Sequence, residues 1–563
     1  MGHCRLLPAS GRQFARGRKI FAAAVALAFL ASTSATYGFQ FDTGNEYVKA
    51  RWDNTLKYST GIRLKDPSQA VTADINSDDG DRNFKKGDLI SNRFDLLSEF
   101  DLTYKDVGAR VSGAAWYDFV YNRTNSNDSP LTANAASVPH NEFTEATRVL
   151  HGRNAEILDG FVFGKAEVGD MAVTGRAGKH TLLYGESLFF GNNGVAAAQT
   201  AIDIVKALSV PNTQFKELMR PVPQVSGQIQ IRPNLALGAY YQLAWVKNRL
   251  PGVGSYFSNI DFLDEGGEQI LAGPPGSGIV FRRTGDIEAR NSGQGGIQLR
   301  FRPEGRDIEC GLYAAQYHSK DPVIYVRPSG APPPVVGVYQ LVYPEDIRVY
   351  GASLSTTVGD TNVAGEVSIR RNMPLLARAG TVTVLPPGSA AGDNRDNPLY
   401  PVGNTIHAQF SWVALLKPGA LWEGGSFIGE IAWHRRQSVS KNEGQLDPNA
   451  SRDASAIRTV FQPTYFQVFS GLDLSVPIGI GYGLWGKSPV LNPGFSVHHG
   501  GDFSVGLSAD YLRAWTAGIS YTHFLGTGDG AVTPPNNPVV HAFSYAQSLK
   551  DRDFISLTVQ RTF

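Results

Sequence analysis

Charged side chains of both signs recur at every second position in the first patterned segments of this sequence. In "YVKARWDNTLKYSTGIRL" and "NRFDLLSEFDLTY", which begin at Tyr47 and Asn92, they alternate with apolar residues. A period of two places the charged and the apolar residues on opposite faces of a strand. Charges that face a water-filled lumen can select solutes, and the alternative is a salt-bridged wall without a ligand. The candidate lumen residues are Arg51, Asp53, Arg93, Asp95, Glu99, Arg110 and Asp118.

A second group of charges lies in the long segment 183–223, which also carries a helical pattern. Ala198, Ile202, Val205 and Leu208 are spaced to share one helix face. An apolar helix is not stable in the medium, so we expect this segment to fold into a lumen as a plug or constriction. The alternative is a helix packed on the mouth of the channel. The charges that would meet a solute are Glu186, Asp203, Lys206, Lys216 and Arg220.

One stretch resembles a nucleophile motif but lacks its required parts. "GESLF" places Ser187 after a glycine, yet Phe189 occupies the position of the second glycine. The strand-to-helix context that the G-x-S-x-G motif needs is also missing from the pattern. No catalytic residue and no cofactor-binding residue is predicted.

Another stretch, "DINSDDGDRNFK", offers side-chain oxygens of the kind that calcium prefers. They come from Asp74, Asn76, Asp78 and Asp81. The glycine and the closing acid of a calcium loop are misplaced, because Gly80 comes one position late and Lys85 stands where a glutamate is needed. The sequence leaves calcium at residues 74–81 open, favours a loop ordered by Asx-turns, and predicts no metal ligand.

The beginning of the chain has the pattern of an export signal. Basic residues precede the apolar run Ile20 to Ala31, and small residues follow it. Such a run is too short to cross a bilayer and is typical of a signal peptide, which we place at residues 1–38. Cys310 is then the single cysteine of the remaining chain, so no internal disulfide is expected. The formal net charge of +1 gives no indication of nucleic acid as a partner.

Alternating segments of about ten residues continue to the C-terminus and predict the fold. Short links alternate with long polar ones, as the short turns and long external loops of an outer-membrane barrel do. The last segment, "DFISLTVQRTF", would close the barrel against the first strand, because an open sheet edge cannot exist in lipid. We therefore predict an all-β, transmembrane antiparallel barrel over residues 39–563, with about eighteen strands (sixteen to eighteen).

Several stretches together resemble the domain-of-unknown-function 1302 family of proteobacterial outer-membrane proteins. They are "FDTGNEYVKARWDNTLKYS", "DDGDRNFKKG", "SNRFDLLSEFDL", "YGESLFFGNNG", "YPEDIRVYGASLSTTVG" and the terminal "RTF". The resemblance implies a β-barrel in the outer membrane of a Gram-negative bacterium. It further implies a periplasmic carrier protein and an efflux-type inner-membrane permease as partners, beside the membrane lipid itself, and traffic in hydrophobic compounds.

The expected function is an outer-membrane channel or transporter for hydrophobic or amphipathic small molecules. A hydrophobic route predicts aromatic residues such as Phe189, Phe190 and Phe215 along the path. The main alternative is a porin for hydrophilic solutes, which predicts a constriction lined by charge. A structural or adhesive barrel and a barrel enzyme remain as further alternatives, although no residue spacing argues for an enzyme.

Overall fold

The computed structural model describes residues 39–210, 214–491, 494–533 and 542–563. The expected signal peptide, residues 1–38, lies outside the described residues. No helix within the described ranges is both long and apolar enough to cross a membrane.

Eighteen antiparallel strands form one closed barrel, which confirms the predicted fold and strand number. The strands are β1 Val48–Arg63, β2 Leu89–Tyr104, β3 Val107–Asp118, β4 Arg153–Val168, β5 Met171–His180, β6 Val222–Arg232, β7 Leu235–Gln242, β8 Gly295–Phe301, β9 Ile308–Tyr317, β10 Ile347–Val358, β11 Thr361–Pro374, β12 Val402–Leu415, β13 Gly424–Lys441, β14 Asp453–Phe469, β15 Leu472–Ser475 with Ile478–Trp485, β16 Gly501–Tyr511, β17 Trp515–Leu525 and β18 Phe554–Thr562. Long loops join the strands at one end of the barrel and short turns at the other.

The last strand closes the barrel against the first, as the terminal pattern predicts. β18 pairs antiparallel with β1 from Thr55 opposite Thr562 to Arg63 opposite Phe554. Below that point, the short N-terminal strand Phe39–Phe41 covers the remaining edge of β1 by pairing with Ala50–Trp52. The backbone groups of β1 are therefore satisfied on both sides, as a bilayer requires.

The outer face of the barrel is an apolar belt. On β1 the side chains of Trp52, Leu56 and Ile62 point outward and are 45%, 45% and 41% exposed. Comparable side chains, such as Val162 and Leu354, follow around the barrel. A closed barrel with this belt and long loops at one end is an outer-membrane β-barrel, which is the predicted location.

β15 is the one place where a barrel strand is interrupted within the described residues. Its two halves, Leu472–Ser475 and Ile478–Trp485, both pair with β14 and β16. Pro477 lies between the two halves. It interrupts the strand, because a proline lacks the N–H group that a ladder position needs. The backbone continues across the gap through the hydrogen bonds Val476 N–H to Pro463 O and Gly506 N–H to Pro477 O, both 3.0 Å long.

Among the described residues, helix is confined to short pieces in the loops. The α-helical pieces are Asp79–Arg82, Glu145–Thr147, Ile204–Ser209 and Phe215–Leu218, with a π-turn at Arg148–Gly152. Single 3-10 turns occupy Val71–Ala73, Val195–Ala198, Arg378–Gly380 and Glu443–Gln445. The remaining short strands pair in the loops as Ala201–Ile202 with Met219–Arg220 and Val532–Thr533 with Ala542–Phe543.

Three long loops build a second sheet outside the barrel. Its five strands, in spatial order, are Gln269–Leu271, Val280–Arg283, Val335–Val342, Val323–Pro328 and Thr381–Thr383. Ile324 and Leu341 pack on one side with Tyr339, and Val323 and Val342 pack on the other. The long loops 248–292, 318–345 and 372–404 are therefore partly ordered as a sheet, and its central strands Val323–Pro328 and Val335–Val342 are largely buried.

Candidate functional site

The inner face of β1 to β4 carries the charges that the sequence predicts for a lumen, and they pair with one another. Arg51 contacts Asp53 at 2.7 Å, and Arg93 contacts Asp95 at 2.6 Å. Arg110 contacts Glu99 directly and has Asp101 and Asp159 at 3.6 and 3.8 Å. These side chains form a salt-bridged wall, and whether they act on a solute stays a prediction.

Asp118 stands apart from those ion pairs, near the long-loop end of β3. Its carboxylate accepts hydrogen bonds from the Ser91 hydroxyl at 2.7 Å, the Val120 N–H at 2.9 Å and the Asn92 N–H at 3.1 Å. It is 1% exposed and holds the end of β2 to the loop that follows β3.

The third loop, residues 181–221 between β5 and β6, does not contain the single helical face predicted for it. Its helical pieces are separated by the short strand Ala201–Ile202, which pairs with Arg220 and Met219. Asp203 then caps a new helix by accepting the Lys206 N–H at 2.9 Å. Side-chain capping competes with a continuous helix at such positions, so Ala198 and Ile202 do not share a helix with Val205 and Leu208.

Two glutamates on the inner face of the barrel hold the backbone of the third loop. Glu430 on β13 accepts the N–H groups of Leu188, Phe189 and Phe190 at 3.2, 2.6 and 2.7 Å through one carboxylate oxygen. Glu366 on β11 accepts the N–H of Val195 at 2.7 Å and that of Glu186 at 2.9 Å. The start of the third loop is thus fastened inside the barrel by charge-assisted hydrogen bonds.

Further polar side chains complete this attachment around Asn193. The Arg370 guanidinium donates to the carbonyl oxygens of Asn192 and Gly194 at 2.8 and 2.7 Å. The Asn193 side-chain oxygen lies 2.9 Å from His407 Nδ1 and 3.2 Å from His434 Nδ1. Gly194 has no room for a side chain, since a Cβ there would overlap Ser187 and Glu366, so the "GNNG" stretch is fitted to the wall.

A cavity of about 520 Å³ remains between the third loop and the opposite wall. Lys57, Arg93 and Asp95 line it from β1 and β2, and Asp203 and Lys206 line it from the third loop. The opposite side of the cavity carries hydroxyl groups from strands β16 to β18, which belong to Ser504, Ser508, Ser520, Ser556 and Thr558. The volume is that of a small-molecule site, and its lining combines these charged and hydroxyl groups with apolar side chains such as Trp116, Val205 and Phe257.

Arg249, from the loop after β7, was not predicted as a site residue and lines this cavity. It contacts Asp203 at 2.8 Å and Glu156 at 2.6 Å. Its guanidinium also lies 5.7 Å from the ring centre of Trp116, as the Arg93 guanidinium does at 4.9 Å. Arg249 joins the third loop to β4, and nothing in the local sequence indicates that this loop reaches the lumen.

His151 also lines the cavity, and it is a neutral group there. Burial, together with the positive charges of Arg93 and Arg249, lowers the pKa of His151 to about 3. Its Nε2 accepts the Gly252 N–H at 3.0 Å, which requires an unprotonated nitrogen. The charge of the cavity therefore comes from lysine, arginine and aspartate side chains.

The predicted constriction residues of the third loop fall in four different places. Asp203 and Lys206 line the cavity. Glu186 lies instead beside β11, where its backbone N–H donates to the Glu366 carboxylate at 2.9 Å. Arg220 donates to the Lys247 carbonyl oxygen at 3.0 Å, and Lys216 is exposed on the helix Phe215–Leu218. The structure thus brings two of the five to the cavity.

The aromatic residues expected along a hydrophobic route are placed differently. Phe190 is 3% exposed and packs against Ala432 and Ala456 of the barrel wall, whereas Phe215 is 1% exposed and packs against other residues of the third loop. Phe189 packs at the edge of the cluster around Phe190. The cavity lining contains none of these three side chains.

The residues of the two motif-like stretches, "GESLF" and "DINSDDGDRNFK", form hydrogen bonds and ion pairs within the protein. The Ser187 hydroxyl contacts the Gln409 amide, which fastens the third loop. Asp74 forms the predicted Asx-turn by accepting the Asn76 N–H at 3.0 Å. Asp81 contacts Arg63 at 3.0 Å and Arg552 at 2.7 Å, so it is paired with arginines.

Comparison with known proteins places the chain in a sequence family. A profile described as "Protein of unknown function (DUF1302)" matches residues 18–563. In a comparison with curated proteins, no sequence matches.

Solved structures of similar fold are distant from this chain. OpdK of Pseudomonas aeruginosa with vanillate is 12% identical, with a TM-score of 0.38 over 91% of this chain and 98% of that chain. OccAB4 of Acinetobacter baumannii is 10% identical, with a TM-score of 0.40 over the same shares of the two chains. A BenF-like porin from Pseudomonas fluorescens Pf-5 is 11% identical, with a TM-score of 0.38 over 92% of this chain and 99% of that chain. TM-scores this low transfer neither a substrate nor a mechanism.

Proposed function

This chain belongs to the DUF1302 family of proteins of unknown function, and we propose that it is an outer-membrane channel for small hydrophilic solutes that carry charge. The single observation that supports this proposal most is the lining of the 520 Å³ cavity. Its walls present ionised side chains on one side and hydroxyl groups on the other, and such walls replace the hydration of a polar solute.

The charge of the cavity suggests which solutes it favours. Lys57, Arg93, Lys206 and Arg249 face Asp95, Asp118 and Asp203. Arg93 and Arg249 are paired with carboxylates, and Lys57 lies 3.9 Å from Asp95. Lys206 donates to the carbonyl oxygen of Glu217 at 2.8 Å, and no described carboxylate forms an ion pair with it. Its charge is the least compensated, which favours solutes with a negative group.

A hydrophobic or amphipathic cargo is the second candidate, and the packing of the third loop argues against it. Phe190 packs against the barrel wall and Phe215 packs within the loop itself, so neither of these expected aromatic residues lines the cavity. The aromatic side chains that do line it, such as Trp116 and Phe257, lie among charged and hydroxyl groups. The periplasmic carrier and the efflux-type permease implied by the family resemblance stay predictions. An enzyme is less well supported, since the candidate nucleophile Ser187 bonds Gln409 in the attachment of the loop.

A matched pair of charge reversals tests the channel. Lys206→Glu changes the charge of the cavity by two units, whereas Lys216→Glu makes the same change on an exposed helix of the same loop. In planar bilayers under a KCl gradient, we expect Lys206→Glu to shift the ratio of chloride to potassium permeability toward potassium by about threefold to tenfold. Lys216→Glu should leave the ratio close to that of the wild type.

The wild-type recordings decide the broader question. Steady currents, together with faster liposome swelling in small charged or zwitterionic solutes than in amphipathic ones, support the proposal. Inserted, folded protein that carries no current would overturn the channel. Equal shifts in both variants would show that the cavity is not the conducting path.

A further inference from the structure

Three long loops meet around a group of buried carboxylates outside the barrel. Asp78 and Asp79 lie in the loop after β1, and Asp261 lies in the loop after β7. Their exposed fractions are 0%, 5% and 0%. One carboxylate oxygen of each residue lies within 4.8 Å of one from each of the others.

The positive charge around this group is too small for three carboxylates. Arg82 contacts Asp78, and it is the one described cation paired with any of the three. Asp79 accepts the Asn134 N–H at 3.0 Å, and Asp261 accepts the Asp79 N–H at 3.0 Å. The neighbouring Asp81, by contrast, contacts two buried arginines.

Several buried oxygen atoms at this place have no hydrogen-bond partner among the described residues. They are Oδ1 of Asp78, Oδ1 of Asp261 and Oδ1 of Asn134. Asn134, from the loop after β3, is 1% exposed and is fixed beside Asp79 by its own N–H. Buried oxygens are seldom left without a partner, because each then costs about 1–3 kcal/mol. An ion would satisfy all three together.

Protons are the other way to neutralise such a group. Burial, together with the charge of Asp78, raises the pKa of Asp79 to about 7, and burial raises that of Asp78 to about 6. Near neutral pH these carboxyls are therefore only partly ionised without a cation. Burial and the charges of Asp79 and Asp78 raise the pKa of Asp261 as well, so protons would also neutralise Asp261. The side-chain oxygen of Asn134 would still lack a partner, and an ion therefore accounts for more of the arrangement.

We propose that Asp78, Asp79 and Asp261 bind one Ca²⁺ ion, with Asn134 beside them as a further oxygen ligand. Calcium–oxygen distances of about 2.4 Å place ligands on opposite sides of an ion about 4.8 Å apart, so one ion reaches all three carboxylates. The irregular set of carboxylate and amide oxygens suits calcium, because magnesium demands near-octahedral geometry and keeps several waters. Extracellular calcium sites commonly have dissociation constants of about 0.1–1 mM.

The ion would tie the loops after β1, β3 and β7 to one another. Hydrogen bonds already connect these loops in part. The Asn76 side chain forms two hydrogen bonds with the Leu271 backbone, at 2.8 and 3.0 Å, and Asn134 Nδ2 donates to the Gln269 carbonyl oxygen at 3.0 Å. The first strand of the external sheet, Gln269–Leu271, is therefore positioned by residues next to the ion.

Calorimetric titration of the full-length protein in detergent with CaCl₂ at pH 7.5 tests the site. We expect one saturable site per chain in the wild type and at least a tenfold weaker site in Asp261→Asn and in Asp79→Asn. Asp396→Asn is the matched control, because its carboxylate is 79% exposed in another external loop, and it should bind as the wild type does. Folding of each variant is checked by its heat-dependent mobility in electrophoresis.

Hydrogen exchange of the wild type gives a readout that needs no variant. Addition of CaCl₂ after EGTA should slow exchange at residues 74–82 and 258–264 and leave the short turns unchanged. Absence of saturable binding up to about 10 mM CaCl₂, a level well above the usual range of such sites, would overturn the proposal. Unaltered binding in folded Asp261→Asn, or protection at a different place, would also overturn it.

Discussion

At the scale of single residues, Glu430 has the largest share in holding the third loop. One oxygen of this side chain accepts three successive N–H groups, from Leu188 to Phe190. Hydrogen bonds to a charged group contribute about 1.5–3 kcal/mol each, and donors left without a partner add to the loss.

We therefore expect Glu430→Ala to loosen the third loop while the barrel stays folded. The opening free energy reported by hydrogen exchange at Leu188–Phe190 should fall by about 1.5–3 kcal/mol. Single-channel currents should become larger or noisier, because the loop no longer keeps one position in the lumen. Glu99→Ala is the control, since Glu99 contacts Arg110 on the inner wall and not the loop. An equal effect of the two variants would contradict this role of Glu430.

The sequence predicts the inner charges of single strands but not their partners across the lumen. Arg93 and Asp95 follow from alternation alone, since a strand fixes the direction of each side chain. Arg249 does not follow, because it stands in an irregular loop whose path depends on the Asp203 and Glu156 side chains that it contacts. Residues from loops join the cavity only after tertiary packing has placed them.

At the scale of elements, the contact between β10 and the third loop depends on the absence of a side chain at Gly351. A Cβ at Gly351 would overlap the side chain of Val195. Val195 is 1% exposed and belongs to the apolar cluster that also includes Tyr184 and Val349.

We expect Gly351→Ala to push the 3-10 turn Val195–Ala198 away from the wall. Overpacking of this kind costs about 1–3 kcal/mol, and hydrogen exchange at Val195 should quicken accordingly. Gly365→Ala on the neighbouring strand β11 is the matched control, since a Cβ there has its nearest neighbour, the Gln409 carbonyl oxygen, at 4.0 Å. A loss of stability as large in Gly365→Ala would show that strand flexibility, and not the contact with Val195, explains the result.

The barrel strands could be predicted from the sequence because each has its own alternating pattern. The external sheet could not, because Val323–Pro328 and Val335–Val342 are nearly continuous apolar runs without alternation. Such runs are typical of strands buried on both faces. Their partners Val280–Arg283 and Thr381–Thr383 come from other loops through parallel pairing, which no local pattern records.

At the scale of the whole molecule, a buried ion network joins the closing strands to the external loops. Arg63 at the end of β1 and Arg552 just before β18 both contact Asp81, and all three side chains are fully buried. Removal of one partner from such a network leaves an uncompensated buried charge and typically costs about 3–5 kcal/mol.

Asp81→Asn should lower the unfolding free energy of the detergent-solubilised protein by about 3–5 kcal/mol at pH 7. Burial raises the pKa of Asp81, but Arg552 and Arg63 outweigh burial and hold it below its usual value. A lowered folded-state pKa means that this stabilisation is complete above the unfolded pKa of about 3.9 and is lost as the pH falls through the folded-state value. The difference between variant and wild type should persist at neutral pH and should shrink as the pH falls below about 4.

Asp128→Asn provides the comparison for that measurement. Asp128 contacts Lys85 at 2.7 Å, and both side chains are more than half exposed. An exposed ion pair contributes about 0–1 kcal/mol, so this variant should unfold close to the wild type. Urea denaturation followed by electrophoretic mobility measures both, and a small effect of Asp81→Asn would show that the network does not stabilise the barrel.

The external sheet also determines which surface of this protein an antibody or a bacteriophage can bind. The loops after β7, β9 and β11 form one unit and not three separate peptides, because their strands share one hydrogen-bonded sheet. An epitope on this face is therefore conformational and combines residues far apart in the sequence. A synthetic peptide copied from one loop reproduces little of that surface, so antisera raised against such peptides will favour the denatured chain over the cell-surface form.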